Sequence, residues 1–322
     1  MASANLAQSL QPSVFGCSLF SVSDAFPKLA AFKASLQEQH LDNKALYFAK
    51  VDVQTCFDTI PQSRLLTMVE SLMSTRLYQT GKHVEISPLA TLRRLDGHHV
   101  DPLPVKKFIA HSGGIKDMGS FAQLVQTKFV GNKSNTVFVN TNLQQQETKD
   151  DLMRLLREHV ERNIVKIGKK FYRQKNGIPQ GSILSSILCN FFYAELEREV
   201  LSFVLGDGSL LLRLLDDFLL ITVHRHHADR FIRVMHRGHP DYGVVVKRAK
   251  SMTNFEAFTD DGECIPRATT ASRFPYCGVS IDTKTLEVSQ KSERMARNGT
   301  CCRTEVHNLE ASTDSEQLLK TP

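Results

Sequence analysis

Asp216 and Asp217 stand side by side between two short apolar runs in residues 210–224, LLLRLLDDFLLITVH. Short, continuously apolar runs suit buried strands, so the segment reads as strand–turn–strand with the two carboxylates at the turn. Adjacent negative charges repel each other, and taking them out of water is costly. A hard cation such as Mg²⁺ relieves both costs, because it prefers carboxylate oxygens. Taken by itself, the pair reads better as a solvated Asp-Asp turn, so any chemistry must be supported from elsewhere in the chain.

Other residues of chemical interest are spread along the sequence. Asp52 closes a strand-like stretch, ALYFAKVD, and Asp58 follows on the next turn. Residues 177–182, GIPQGS, put glycines on both sides of Pro179 and Gln180 just before a long helical pattern. That arrangement lets the backbone approach a ligand at a helix start. Lys250 sits in a basic turn, VKRAK. Asp52, Asp216 and Asp217 can meet only if separate strands lie side by side. Three carboxylates on neighbouring strands would serve a two-metal phosphoryl-transfer site, with basic residues nearby for phosphates. Asp58 can cap a turn as readily as touch substrate and is left out of the metal set. His224, His226 and His227 read as solvent-facing histidines at a strand-to-helix boundary rather than a zinc site. Ser182, Ser185 and Ser186 lack His or Asp companions at a spacing suited to a hydrolase. Cys277 reads as a packed small residue, and Phe191, Phe192 and Tyr193 as core.

The elements that must position these groups follow from periodicity. Helices are expected over residues 24–39, 62–73 and 150–167, the last with one apolar and one charged face. Residues 46–53 form a strand by aromatic and β-branched content. Between 77 and 166 the pattern softens, with strand-like pieces at HVEIS and VFVN and a polar linker around 113–119. A short basic strand near 169–173 leads to the Gly-rich turn. The long helix after it carries Ile183, Ile187, Phe191 and Leu196 on its buried side. After the Asp-Asp hairpin come a helix (HRHHADRFIRVMHRGHP), a strand, a basic turn and strand (YGVVVKRAKSMTNFEAF), and a last hairpin (RFPYCGVSIDTKTLEV). Residues beyond 289 are polar, patternless and expected to be unfolded.

Five blocks, LYFAKVDVQTCFDTIPQSRL, NGIPQGSILSSILCNFFYAELE, LLLRLLDDFLLITVH, YGVVVKRAKSMTNF and FPYCGVSIDTKTLEV, resemble successive palm motifs of telomerase reverse transcriptases. They occur in the order that family shows, and the similarity runs in outline from residue 11 to about 288. Asp-Asp preceded by Leu and followed by Phe-Leu-Leu is similar to the telomerase form and differs from the Tyr-x-Asp-Asp of retroviral enzymes. The resemblance implies an α/β (α+β) right-hand palm with an antiparallel sheet, a helical fingers insertion, and a thumb largely absent. The domain reading that follows is 1–45 fingers lead-in, 46–76 first palm block, 77–168 fingers insertion, 169–288 remaining palm, and 289–322 a disordered or aberrant tail.

Residue by residue, the resemblance implies metal binding by Asp52, Asp216 and Asp217, with two Mg²⁺ ions. Lys250 matches the lysine that protonates pyrophosphate. Phe57 matches the aromatic position beneath the incoming sugar, where a bulky ring selects deoxynucleotides; Tyr is more usual there. Gly177, Gln180 and Gly181 match the element touching nucleotide and template. Tyr276, Cys277 and Gly278 match the primer grip, with Tyr in place of a more usual Trp. The implied reaction is RNA-templated addition of deoxynucleotides to chromosome 3′ ends. Its implied partners are a telomerase RNA subunit, telomeric single-stranded DNA, deoxynucleoside triphosphates and accessory proteins, at telomeres in the nucleus. The telomere-anchoring and RNA-binding domains and the basic fingers motifs of that family are not in this sequence, so the chain is expected to polymerise poorly alone.

Composition agrees with a soluble globular protein: 322 residues, 41% hydrophobic, 23% charged, formal charge +6. The mild positive charge suits a polyanionic partner without requiring one. Seven cysteines, an odd number without Cys-x-x-Cys spacing, favour a reduced compartment over a disulfide framework or structural zinc. There is no signal-peptide pattern at the start and no apolar run long enough for a membrane span. Two other functions compete. A mobile-element reverse transcriptase is opposed by the long insertion and the Leu-Asp-Asp-Phe form. A non-catalytic nucleic-acid-binding isoform is opposed by the intact aspartates and favoured by the missing parts.

Overall fold

The computed structural model describes residues 12–87, 104–115, 118–129, 131, 133, 135–270 and 272–290. They fall into two compact units, one of residues 63–162 and one of 12–62 with 163–290.

In the larger unit, helix α1 (Ala25–Glu38) buries Ala25, Leu29, Phe32 and Leu36, the face that a 3.6-residue period brings together. Strand β1 (Tyr47–Asp52) follows, then a single helical turn, α2 (Cys56–Thr59). Helix α3 (Gln62–Leu72) leads into the smaller unit, where β2 (Leu77–Ser87), β3 (Val105–Gly114) and β4 (Val137–Thr148) precede helix α4 (Lys149–Glu161). Back in the larger unit come β5 (Ile164–Ile167), β6 (Lys170–Arg173) and the long helix α5 (Ile183–Glu199). Strands β7 (Ser209–Leu214) and β8 (Asp217–Thr222), helix α6 (Arg225–Arg237) and β9 (Met252–Thr253) complete the central layer. A three-stranded sheet of β10 (Arg273–Tyr276), β11 (Val279–Asp282) and β12 (Val288–Gln290) ends the described chain.

The central sheet has the order β7-β8-β1-β9, with β1 antiparallel to both neighbours. Strand alternation divides its side chains between two faces. Phe48, Leu212, Leu219, Ile221 and Val223 share one face and join α1 and the β10–β12 sheet in a single core with Phe274, Tyr276 and Ile281. Lys50, Asp52 and Asp217 lie on this same face by register. Ala49, Val51, Phe218 and Leu220 point the other way and are fully buried, as are Ala228, Phe231, Ile232 and Met235 of α6. A sheet covered on both faces explains why β8 reads as an unbroken apolar run.

Several expectations need correction. The helix expected over 150–167 ends at Glu161. Ile164, Val165 and Ile167 are β-branched and pair with β6 through a two-residue turn, where Gly168 takes φ +62°. The insertion, expected to be helical, is built mainly on a three-stranded antiparallel sheet, β3-β2-β4. The polar residues around 113–114 belong to β3, which runs to Gly114 rather than forming a linker. Those strands hold few apolar residues in alternation, so pairing with β2 outweighs their weak local pattern. On α5, Ile187, Phe191 and Leu196 are buried as expected, but Ile183 is 64% exposed at the first turn. The strand expected at YGVVVK is reduced to isolated bridges, Val53 with Val246 and His239 with Val244, followed by a 3₁₀ turn, Arg248–Lys250. Ser289 and Gln290 belong to β12, whereas the expectation for the tail beyond them, and that for residues 1–11, lies outside the described residues. All five cysteines among the described residues are free thiols. No helix among them is long and apolar enough to cross a membrane.

Candidate active site

Asp52 ends β1 and Asp217 begins β8, and the antiparallel register sets them directly opposite each other. Asp216 occupies the turn between β7 and β8, after Leu215 at φ +56°, and its carbonyl accepts the Val53 N–H at 3.0 Å. Folding therefore brings all three aspartates to one end of the central sheet.

Burial, then the charges of Asp217 and Asp52, push the Asp216 carboxyl up from its ordinary value to about 6. Two lysines offset the negative charge. Lys50, two residues before Asp52 and so on its face, lies 3.0 Å from Asp217 Oδ1. Lys250 Nζ lies 3.1 Å from Asp52 Oδ1 and 3.3 Å from Oδ2. Burial pulls both ammonium groups down, but hydrogen bonds and attraction to the aspartates outweigh it, so both are raised. The Oδ1 atoms of Asp52 and Asp217 are buried and accept no well-directed hydrogen bond, despite these close charges. Ion-pair distance and hydrogen-bond direction thus disagree. Direction decides whether a lone pair is used, so both oxygens retain acceptor capacity.

This is the donor set a hard divalent cation takes: buried carboxylate oxygens with spare lone pairs, beside a third carboxyl strained by like charge. Among the described residues, no three His, Cys, Asp or Glu side chains converge on one point as they stand. The chemistry fits Mg²⁺, with side-chain rotation needed to gather the ligands. The three histidines expected to face solvent form no such group either. His224, His226 and His227 pack ring against ring, with centroids 4.2 to 5.6 Å apart.

The Gly-rich turn docks on α2. Gly177 N–H donates to Ile60 O at 3.1 Å, Ile178 N–H to Phe57 O at 2.6 Å, and Gln62 Nε2 to Gly177 O at 2.9 Å. Gly177 is required here. Its φ is +76°, and a Cβ would fall 2.3 Å from Phe57 O. Gln180 is exposed and donates to Asp58 Oδ2 at 2.9 Å. Asp58, set aside in the sequence reading, therefore orients Gln180. Gly181 is exposed, with φ +81° and open space where a Cβ would stand.

Tyr276, Cys277 and Gly278 span the end of β10 and its turn into β11. Tyr276 Oη donates to Asp217 O at 3.1 Å, and Cys277 Sγ donates to Asp217 Oδ2 at 3.3 Å. Burial and the Asp217 charge raise the Cys277 thiol, keeping it protonated as a donor. The residue read as a packed small side chain therefore contacts the carboxylate cluster. Lys50 has no role assigned from the sequence. Its place two residues before Asp52 on a strand was the available signal. A further unforeseen feature is the buried Arg213. Its Nε lies 2.5 Å from Glu197 Oε1, while its other nitrogens bond Asn190 Oδ1, Asn190 O and Ser18 Oγ.

Residues 135–281 match the family model described as reverse transcriptase (RNA-dependent DNA polymerase). Telomerase reverse transcriptase of Rattus norvegicus is 32% identical over 88% of this chain and 25% of its own length. That of Bos taurus is 32% identical over 91% of this chain and 25% of its length, and that of Oryza sativa 28% over 86% and 22%. The chain thus spans about a quarter of the length of these relatives. Among solved structures, telomerase from Candida albicans, in complex with the TWJ fragment of telomeric RNA, superposes with a TM-score of 0.54 at 20% identity. It covers 89% of this chain and 37% of that one. Apo telomerase from Candida tropicalis gives 0.54 at 18% identity, over 91% and 40%. The chain has a reverse-transcriptase-like fold and is similar, over most of its own length, to about a quarter of the length of the telomerase reverse transcriptases.

Proposed function

We propose that this chain supplies the catalytic palm for RNA-templated addition of deoxynucleotides to a DNA 3′ end, as a telomerase reverse transcriptase does. The reading rests on Asp52 and Asp217 standing in register on neighbouring strands with Asp216 in the adjoining turn, in a telomerase homologue. Asp52, Asp216 and Asp217 would hold two Mg²⁺ ions. When bound, such ions acidify a 3′-hydroxyl and offset charge on a leaving pyrophosphate. Lys250, charged and 58% exposed, can hand a proton to that leaving group. Lys50 pairs with the Asp217 carboxylate. The Phe57 ring excludes a 2′-hydroxyl, Gln180 and the glycines around it meet nucleotide and template, and the Tyr276–Cys277–Gly278 turn supports the primer end beside Asp217. The partners in this reading are a telomerase RNA subunit, telomeric single-stranded DNA, deoxynucleoside triphosphates and accessory proteins, at telomeres in the nucleus.

Metal dependence tests the reading. With a separate RNA-binding domain, template RNA and a DNA primer, the chain is expected to add deoxynucleotides in Mg²⁺ and none in EDTA. Extension that persists in chelator, or fails in Mg²⁺ although primer and template are bound, would contradict it.

A further inference from the structure

We propose that the β5–β6 hairpin is a docking surface for single-stranded nucleic acid, with Phe171 as its stacking platform. Phe171 is 70% exposed, and Ile164 and Ile167 are 68% and 55% exposed, so the hairpin stands largely free of the core. The register Lys166↔Phe171 and Ile164↔Arg173 puts an aromatic ring and two cations on one face. Lys166 Nζ lies 5.7 Å from the Phe171 ring centre. Lys170, beside Ile167, is on the other face, and Lys169 is in the turn. Between Glu161 and Glu195 the sequence has six Lys or Arg and no Asp or Glu. Among the described residues, no carboxylate pairs with Lys166, Lys169, Lys170, Arg173 or Lys175.

Exposed apolar residues alone would suit a protein partner equally well. The acid-free run of cations around an exposed ring favours a polyanion with unpaired aromatic faces, because backbone phosphates pair with the cations while a base stacks on the ring. The surface is also joined to the Gly-rich turn. Gln174 N–H donates to Asn163 O at 2.9 Å, Asn163 Nδ2 to Gln174 Oε1 at 2.8 Å, and Gln174 Nε2 to Ile178 O at 3.3 Å. A strand held on the hairpin is thereby tethered to the turn that positions Gln180.

Binding of short labelled RNA and DNA of one sequence, followed by anisotropy in EDTA with the full chain, tests this independently of any catalysis. Phe171→Ala is expected to weaken single-strand binding about tenfold, and Phe171→Trp to retain it. Lys166→Gln with Arg173→Gln should lower the slope of log affinity against log salt by about 0.7 per cation. Loss with both strands, or with one alone, supports the platform and identifies the strand it takes. Unchanged affinity in both variants would overturn the proposal. So would a duplex or an acidic peptide that competes as well as the unpaired strand. Neither of those results would bear on the carboxylate site.

Discussion

Arg213→Ala is expected to cost roughly 3–5 kcal/mol of folding stability, as removal of one partner from a buried ion pair does. Arg213 is fully buried on β7, three residues before Asp216, and its guanidinium bonds both Glu197 and Asn190 on α5. It also reaches Ser18 Oγ at 2.6 Å, and Glu197 Oε2 accepts the Cys17 N–H at 2.7 Å. The backbone of the same lead-in segment bridges to β7, with Leu19 N–H donating to Arg213 O at 2.6 Å. Truncating the side chain leaves Glu197 buried without its cation, and frees residues 17–19 from the strand that leads into the Asp216 turn. The double variant Arg213→Met with Glu197→Leu should recover much of the loss, because it removes both charges while keeping volume. Denaturant unfolding of the three proteins measures this. A single variant within about 1 kcal/mol of wild type, or a double variant no better than the single, would contradict the role assigned to the pair.

Asp216→Asn is expected to stabilise the metal-free protein. With the Asp216 carboxyl raised from 3.8 to about 6, its ionised form costs the fold roughly 2–3 kcal/mol above that pH. The fold prefers the protonated acid, so wild-type stability declines as pH rises from about 4 through 6, and the penalty is complete above that. The gap between variant and wild type should be absent near pH 4, open through pH 6 and stay constant at pH 8. Thermal melting in chelator across this range measures it. A variant no more stable than wild type at pH 8 would show that Lys50 and Lys250 already neutralise the site. Strain of this kind is what a binding site for cations carries when stability is given up for function.

Much of the site could be read in the sequence because its groups lie on short, strongly patterned elements. Asp52 follows an aromatic and β-branched run, and the Asp-Asp pair interrupts two apolar ones, so strand ends and turn were both visible. Residues whose roles depend on contacts between distant segments were not. Arg213 stands in the run LLLRLL, where a lone charge does not disturb the apolar pattern. Asn190 and Glu197, seven residues apart on one face of a buried helix, were the signal that a buried cation needed partners. Cys277 meets Asp217 only because the β10–β11 turn packs against the central sheet. The insertion misled for a different reason. Its strands are polar and pair with each other without a clear alternation, while NIVKI continues the spacing of the preceding helix although its β-branched residues prefer a strand.

Asp52, Asp216 and Asp217 are proposed to perform the transfer chemistry. The most direct measurement is single-nucleotide incorporation, under single-turnover conditions in Mg²⁺, by wild type and Asp217→Ala, with primer–template binding measured in parallel. Loss of about a thousandfold or more in rate, with binding and melting temperature retained, is expected for removal of a group acting only in the transition state. Incorporation by Asp217→Ala at a rate comparable to wild type would place the chemistry elsewhere.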